Sequence, residues 1–137
     1  MTQEEKELLL KDLCARLPYG VKISKRQYNY CNSLTLTGIV GDRCYFNDNP
    51  RYDGDCPIDE IKPYLLPLSS MTEEQKREYN MLLTDVPTYE YEGGDIVTVF
   101  ETYDNWMSID YLIANHFDYR YLIEDGLAID ATGLGIY

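Results

Sequence analysis

The sequence predicts an α+β fold in which a small antiparallel sheet is packed by about three helices. Two capping boxes, Thr2-Gln3-Glu4-Glu5 and Thr72-Glu73-Glu74-Gln75, stand at the heads of segments with apolar residues at helical spacing. Alternating or β-branched runs between Leu34 and Phe46, and again from Ile96 to Phe100, read as strands. The chain has 137 residues and a mass of 16.0 kDa, the size of one domain, so a single α+β domain over residues 1–137 is expected. Leu, Ile, Val and Phe make up about a quarter of the residues, above the ~20% below which chains tend to stay disordered.

The first helix is expected to start at Thr2 and to bury Leu10, Leu13, Cys14 and Leu17, an i, i+3, i+4, i+7 stripe stopped by Pro18-Tyr19-Gly20. Val21-Lys22-Ile23 alternates as a short strand, and Leu34-Thr35-Leu36-Thr37 alternates before Gly38-Ile39-Val40. Gly41-Asp42 then predicts a hairpin turn into Cys44-Tyr45-Phe46, because glycine supplies the positive φ of such turns.

Asn47 to Asp55 reads as a polar loop. A calcium loop there fails on chemistry: aligning Gly54 and Glu60 with the required glycine and bidentate glutamate puts Arg51 where an oxygen ligand belongs. Pro63 and Pro67 make Tyr64-Leu65-Leu66 extended or a single turn. The second helix carries Tyr79, Leu82 and Leu83 and should end at Pro87. Tyr89 to Asp95 is expected to be an acidic, tyrosine-bearing loop ahead of the strand Ile96–Phe100. Asp104 is the expected N-cap of a third helix with a stripe of Trp106, Ile109, Ile113 and Phe117. His116 falls near that helix's end, where exposed carbonyls favour an imidazolium. Gly126 should close a further helical turn through Tyr121-Leu122-Ile123, with Leu127-Ala128-Ile129 returning as a short strand.

Composition excludes several functions. A net charge of −12 lacks the cationic surplus that phosphate backbones demand, so direct nucleic-acid binding is not expected. No apolar stretch nears the ~18 residues of a membrane helix, and the acidic N-terminus differs from a secretory signal, which predicts a cytoplasmic protein with no membrane partner. Cys14, Cys31, Cys44 and Cys56 contain no C-x-x-C pair, so no metal site is predicted, and in the cytosol they are expected to be reduced. Any imidazole chemistry would have to use His116, the only histidine. Asp53 with Asp55, or Cys44 or Cys56 with His116, are the pairs an enzyme would draw on. There is no phosphate loop, nucleophile elbow or zinc signature, so no catalytic residue and no cofactor are assigned and an enzyme is not expected.

The charge is unevenly spread. Through Arg77 there are 12 acidic and 11 basic residues, whereas the remainder has 12 acidic residues and only Arg120. Carboxylates without local cations must mostly face water, since burying them unpaired costs several kcal/mol each. Tyr89, Tyr91, Tyr103, Tyr111, Tyr119 and Tyr121 lie in the same acidic part, and tyrosine suits recognition surfaces through its large area and few rotors. The candidate partner-binding residues are therefore Tyr89, Glu90, Tyr91, Glu92, Asp95, Glu101, Tyr103 and Asp104, with a basic protein surface as the partner.

Three blocks of the chain resemble a family of small proteins, without an assigned activity, from gut-anaerobe bacterial genomes and their phages. They are Thr2 to Lys6 through Leu17-Pro18-Tyr19-Gly20-Val21; Ile61 to Leu65 with Leu68 to Glu74; and His116 to Arg120 with Gly126-Leu127-Ala128. The chain departs from that pattern at Tyr121, where glycine is common, and at Ala131 to Gly135, which replace a proline-containing tail. The resemblance implies a phage or mobile-element context. Combined with the acidic part, it leads to the expectation of a non-enzymatic interaction protein, an inhibitor or nucleic-acid mimic, that binds a host nucleic-acid-handling or defence protein. The alternative is a small-ligand or nucleotide binder whose pocket is lined by tyrosines and Trp106.

Overall fold

The computed structural model describes residues 1–25, 34–49 and 52–137. The chain divides into two compact units, Met1–Ser70 with Ile113–Tyr137, and Met71–Leu112.

In the first unit, helix α1 (Gln3–Arg16) opens with the expected capping box: Thr2 Oγ1 accepts from the Glu5 backbone N–H at 3.1 Å, and Glu5 Oε1 accepts from that of Thr2 at 3.5 Å. Its buried residues are Leu9, Asp12, Leu13 and Arg16, so the core-facing line differs from the predicted stripe. Cys14 is exposed, and Leu10 and Leu17 are only partly buried. The reason is the Asp12–Arg16 ion pair, which occupies two core-facing positions that hydropathy alone assigns to solvent.

Strands β1 (Lys22–Lys25), β2 (Leu34–Val40), β3 (Arg43–Asn49), β4 (Tyr52–Pro57), β5 (Ile61–Leu65) and β8 (Ile129–Asp130) form one sheet in the order β4-β3-β2-β1-β5-β8. Gly41, at φ 61°, makes the β2–β3 turn as predicted. The sheet corrects the expectation of a small antiparallel one: it has six strands, and β5 pairs with β8 in parallel through Tyr64↔Ile129 and Leu65↔Asp130. The parallel pair arises because the chain leaves β5, runs through residues 66–128 and re-enters in the same direction. Asn47 to Asp55 is also corrected. Instead of a loop, most of it is paired strand, with Asn47 opposite Asp53 and Asn49 opposite Tyr52, on an edge where polar residues are tolerated; Pro50 and Arg51 lie outside the described residues.

α1 packs through Leu9 and Leu13 into a core that includes Val21, Ile23, Leu36, Phe46, Ile58, Ile61, Leu65, Leu122 and Leu127. Beside this core, fully buried Arg16 donates from Nε to Asp12 Oδ2 at 2.8 Å and from Nη2 to the Phe117 carbonyl at 2.6 Å. The Asp118 carboxylate accepts from the backbone N–H groups of Leu122 and Ile123, both at 2.9 Å, and Gly126, at φ 72°, closes the turn that follows as expected, its N–H donating to the Ile123 carbonyl at 3.1 Å and that of Leu127 to the Leu122 carbonyl at 2.9 Å. Tyr121 itself adopts φ 59°, the left-handed region that glycine favours.

The second unit contains α2 (Glu73–Leu82), β6 (Thr84–Glu92), β7 (Asp95–Tyr103) and the start of α3 (Trp106–Ala114). The Thr72 capping box forms, with Gln75 as the reciprocal partner. Three expectations are corrected. α2 stops at Leu82 with Leu83 as its C-cap, so Pro87 does not end a helix but lies in β6 opposite Phe100. The acidic loop is strand: β6 and β7 pair along their whole length from Thr84↔Tyr103 to Glu92↔Asp95, which leaves only Gly93-Gly94 as the turn. Asn105 rather than Asp104 caps α3, its Oδ1 accepting from the N–H groups of Met107 at 2.8 Å and Ser108 at 3.1 Å. The predicted α3 stripe is broken as well: Trp106 is 74% exposed, and Phe117 is buried beyond the helix end. Among residues 71–112 only Ser108 and Leu112 are buried. No helix of the described residues is long and apolar enough to cross a membrane.

Candidate functional site

In an antiparallel pair, directly opposite residues share a face and neighbours along a strand alternate between faces. The β6–β7 register is uninterrupted, so the faces follow from it. One carries Thr84 with Tyr103, Val86 with Glu101, Thr88 with Val99, Glu90 with Val97, and Glu92 with Asp95. The other carries Asp85 with Thr102, Pro87 with Phe100, Tyr89 with Thr98, and Tyr91 with Ile96.

The eight candidate residues therefore do not form one mixed surface. Glu90, Glu92, Asp95, Glu101 and Tyr103 are brought together on one face, while Tyr89 and Tyr91 stand on the opposite face. Asp104 lies past the end of β7, where its Oδ1 accepts from Ser108 Oγ at 2.9 Å and from the Tyr79 hydroxyl, which makes it a joint of the unit. The Tyr103 hydroxyl donates to Glu101, and this bond to an anion holds the phenol above its ordinary pKa.

Glu92 and Asp95 face each other across the Gly93-Gly94 turn, whose residues have φ 59° and 91°. Positive φ at both turn positions suits a hairpin turn of the kind glycine permits. Like charges directly opposite in a ladder destabilise it, and Glu90 is two residues away on the same face, about 7 Å along the strand. No lysine or arginine occurs between Arg77 and Arg120, and among the described residues none of the four carboxylates forms an ion pair.

On the opposite face sequence reasoning named Tyr89 and Tyr91 but missed Ile96 and Phe100, which share it. Tyr89, Tyr91, Ile96 and Phe100 are 74%, 84%, 62% and 65% exposed. A β-branched run such as Ile96-Val97-Thr98-Val99-Phe100 signals a strand, but not whether anything covers it; the signal available was the alternation of Tyr89, Glu90, Tyr91 and Glu92, which is the period of a strand rather than of a loop.

The pairs considered for catalysis are placed otherwise. Cys44 and Cys56 are buried cross-strand partners, and burial raises both thiols, Cys44 to about 12, which keeps them protonated. Asp55 is held by Arg43 at 2.7 Å. His116 has φ 65° and stacks on Tyr137 with ring centroids 3.6 Å apart. Its Nδ1 is buried without a hydrogen-bond partner, and desolvation together with the Arg16 charge lowers its pKa to about 4. The expected imidazolium at a helix end is thus replaced by a neutral ring, since burial near a guanidinium outweighs the helix carbonyls. Cys31 lies outside the described residues. Among the described residues no group of three or more His, Cys, Asp or Glu side chains is placed to hold a metal ion. No family model, curated protein or solved structure matches the chain.

Proposed function

We propose that the protein is a non-enzymatic binding protein whose β6–β7 hairpin engages a basic surface of another protein through its carboxylate face. The observation that carries this reading is the Glu92↔Asp95 pair, with Glu90 and Glu101 on the same face and no ion pair to any of the four among the described residues. A cationic partner would relieve that repulsion, and the opposite face adds exposed aromatic and aliphatic contacts. Basic surfaces that bind phosphates are the natural complement of such a row of anions, which favours a nucleic-acid-handling or defence protein as partner and a decoy or inhibitory role. The phage-like resemblance of the sequence points the same way.

Co-purification with a basic protein at low salt, lost on charge reversal of Glu90, Glu92 and Asp95 and on raising the salt, is the expected result. Retention of the partner through both treatments overturns the proposal. The pocket of tyrosines and Trp106 foreseen for a small-ligand binder gains no support from Trp106, which is 74% exposed.

A further inference from the structure

A separate cleft in the first unit points to a ligand of defined chemistry. It has a volume of about 340 Å³, and Glu5, Asp59, Glu60 and Asp125 contribute to its walls, with Lys62 and Met1 also in the lining. Lys6 approaches Asp59 at 3.7 Å, leaving the other three carboxylates without an ion pair among the described residues. Ser24 also lines the cleft. It is only 2% exposed, and its Oγ has no hydrogen-bond partner. Ser24 and Lys62 are cross-strand partners on β1 and β5, so both side chains stand on the same face of the sheet, and a hydroxyl buried there without a partner is costly unless something else satisfies it.

We propose that this cleft binds a small aliphatic polyamine, with its ammonium groups distributed among Glu5, Glu60 and Asp125 and one N–H donated to Ser24 Oγ. The volume is in the range of small-ligand sites, roughly 300–1,000 Å³. A divalent cation is disfavoured because it needs six to eight oxygens converging within about 2.6 Å for calcium, whereas the described residues offer no converging set of three acidic or metal-binding side chains. Ammonium groups joined by a flexible chain match carboxylates that are spread around a wall. The proposal is independent of the hairpin.

The test is calorimetric titration of the full chain with spermidine, and with magnesium chloride at matched ionic strength. Saturable spermidine binding is expected, with magnesium giving none. Glu60→Gln with Asp125→Asn should raise the spermidine Kd at least tenfold, and Ser24→Ala should raise it severalfold, whereas charge reversal of Glu90, Glu92 and Asp95 should leave it unchanged. Circular dichroism of each variant establishes that it is folded, and a variant that unfolds is replaced by Glu60→Gln alone. Equal response to magnesium, unaltered affinity in folded cleft variants, or loss of binding in the hairpin variant overturns the proposal; the last would assign spermidine to the hairpin.

Discussion

Arg16 and Asp12 are joined across one turn of α1 by a 2.8 Å hydrogen bond, and neither side chain has any exposed surface. Burial raises the Asp12 pKa, while Arg16 acts in the opposite direction as the leading stabiliser of the carboxylate. Arg120 Nε approaches the second oxygen at 3.5 Å. Removing one partner leaves an uncompensated charge in the core. Arg16→Met should therefore destabilise the fold by about 3–5 kcal/mol. Adding Asp12→Leu should recover a large part of that loss, a non-additivity that urea denaturation of the two single variants and the double variant would measure.

His116 predicts a pH dependence. Its pKa falls from an ordinary 6.5 to about 4 in the folded protein, so the unfolded chain binds the extra proton between those values. The resulting stability is fully present above about pH 6.5 and is lost as the pH falls toward 4. Partial exposure of the ring limits the effect to about 1–2 kcal/mol. His116→Asn keeps a residue tolerant of positive φ, and its stability curve should be flatter than that of the wild type across this window.

Tyr121 holds φ 59° with its side chain 56% exposed, so the strain is offset by little packing. Tyr121→Gly should raise stability by about 0.5–1 kcal/mol, seen as a higher thermal midpoint.

Gly54 lies opposite Phe46 in the β3–β4 ladder, and a Cβ there would stand 2.5 Å from Phe46 Cε2. The ring is 7% exposed and has little room to move. Gly54→Ala should cost about 1–3 kcal/mol through overpacking, and Phe46→Leu in the same chain should recover part of it.

The second unit relies on polar links more than on burial. Asn105 donates from Nδ2 to the Leu82 carbonyl at 2.5 Å and to Thr84 Oγ1 at 2.8 Å, besides capping α3. Asn105→Ala should speed hydrogen exchange of the β6–β7 amides, a local loss of about 1–2 kcal/mol, while amides of β1 and β5 keep their protection.

Local signals made much of this fold readable. Thr2 and Thr72 announced their helices because a capping box is complete within four residues, and Gly41-Asp42 fixed its hairpin through a backbone need that glycine meets. Long-range determinants were not readable in the same way. Nothing near Ile129 reveals that it pairs in parallel with Tyr64, and a charged pair such as Asp12–Arg16 looks solvent-facing until Phe117 supplies a carbonyl from 101 positions away. At the hairpin, composition identified the acidic and tyrosine residues, but their separation onto two faces needed the strand register, which the loop reading of Tyr89 to Asp95 concealed.

The binding account is tested most directly by two variants with the same change in net charge. One replaces Glu90, Glu92, Asp95 and Glu101 by their amides; the other replaces Glu4, Glu7, Glu74 and Glu124, which are exposed elsewhere. Affinity for the co-purified basic protein should fall at least tenfold for the hairpin variant and stay within about twofold of wild type for the control, as expected for four partner-facing charges. Equal losses in both variants would reduce the effect to overall acidity, and an unchanged affinity in the hairpin variant would contradict the account outright.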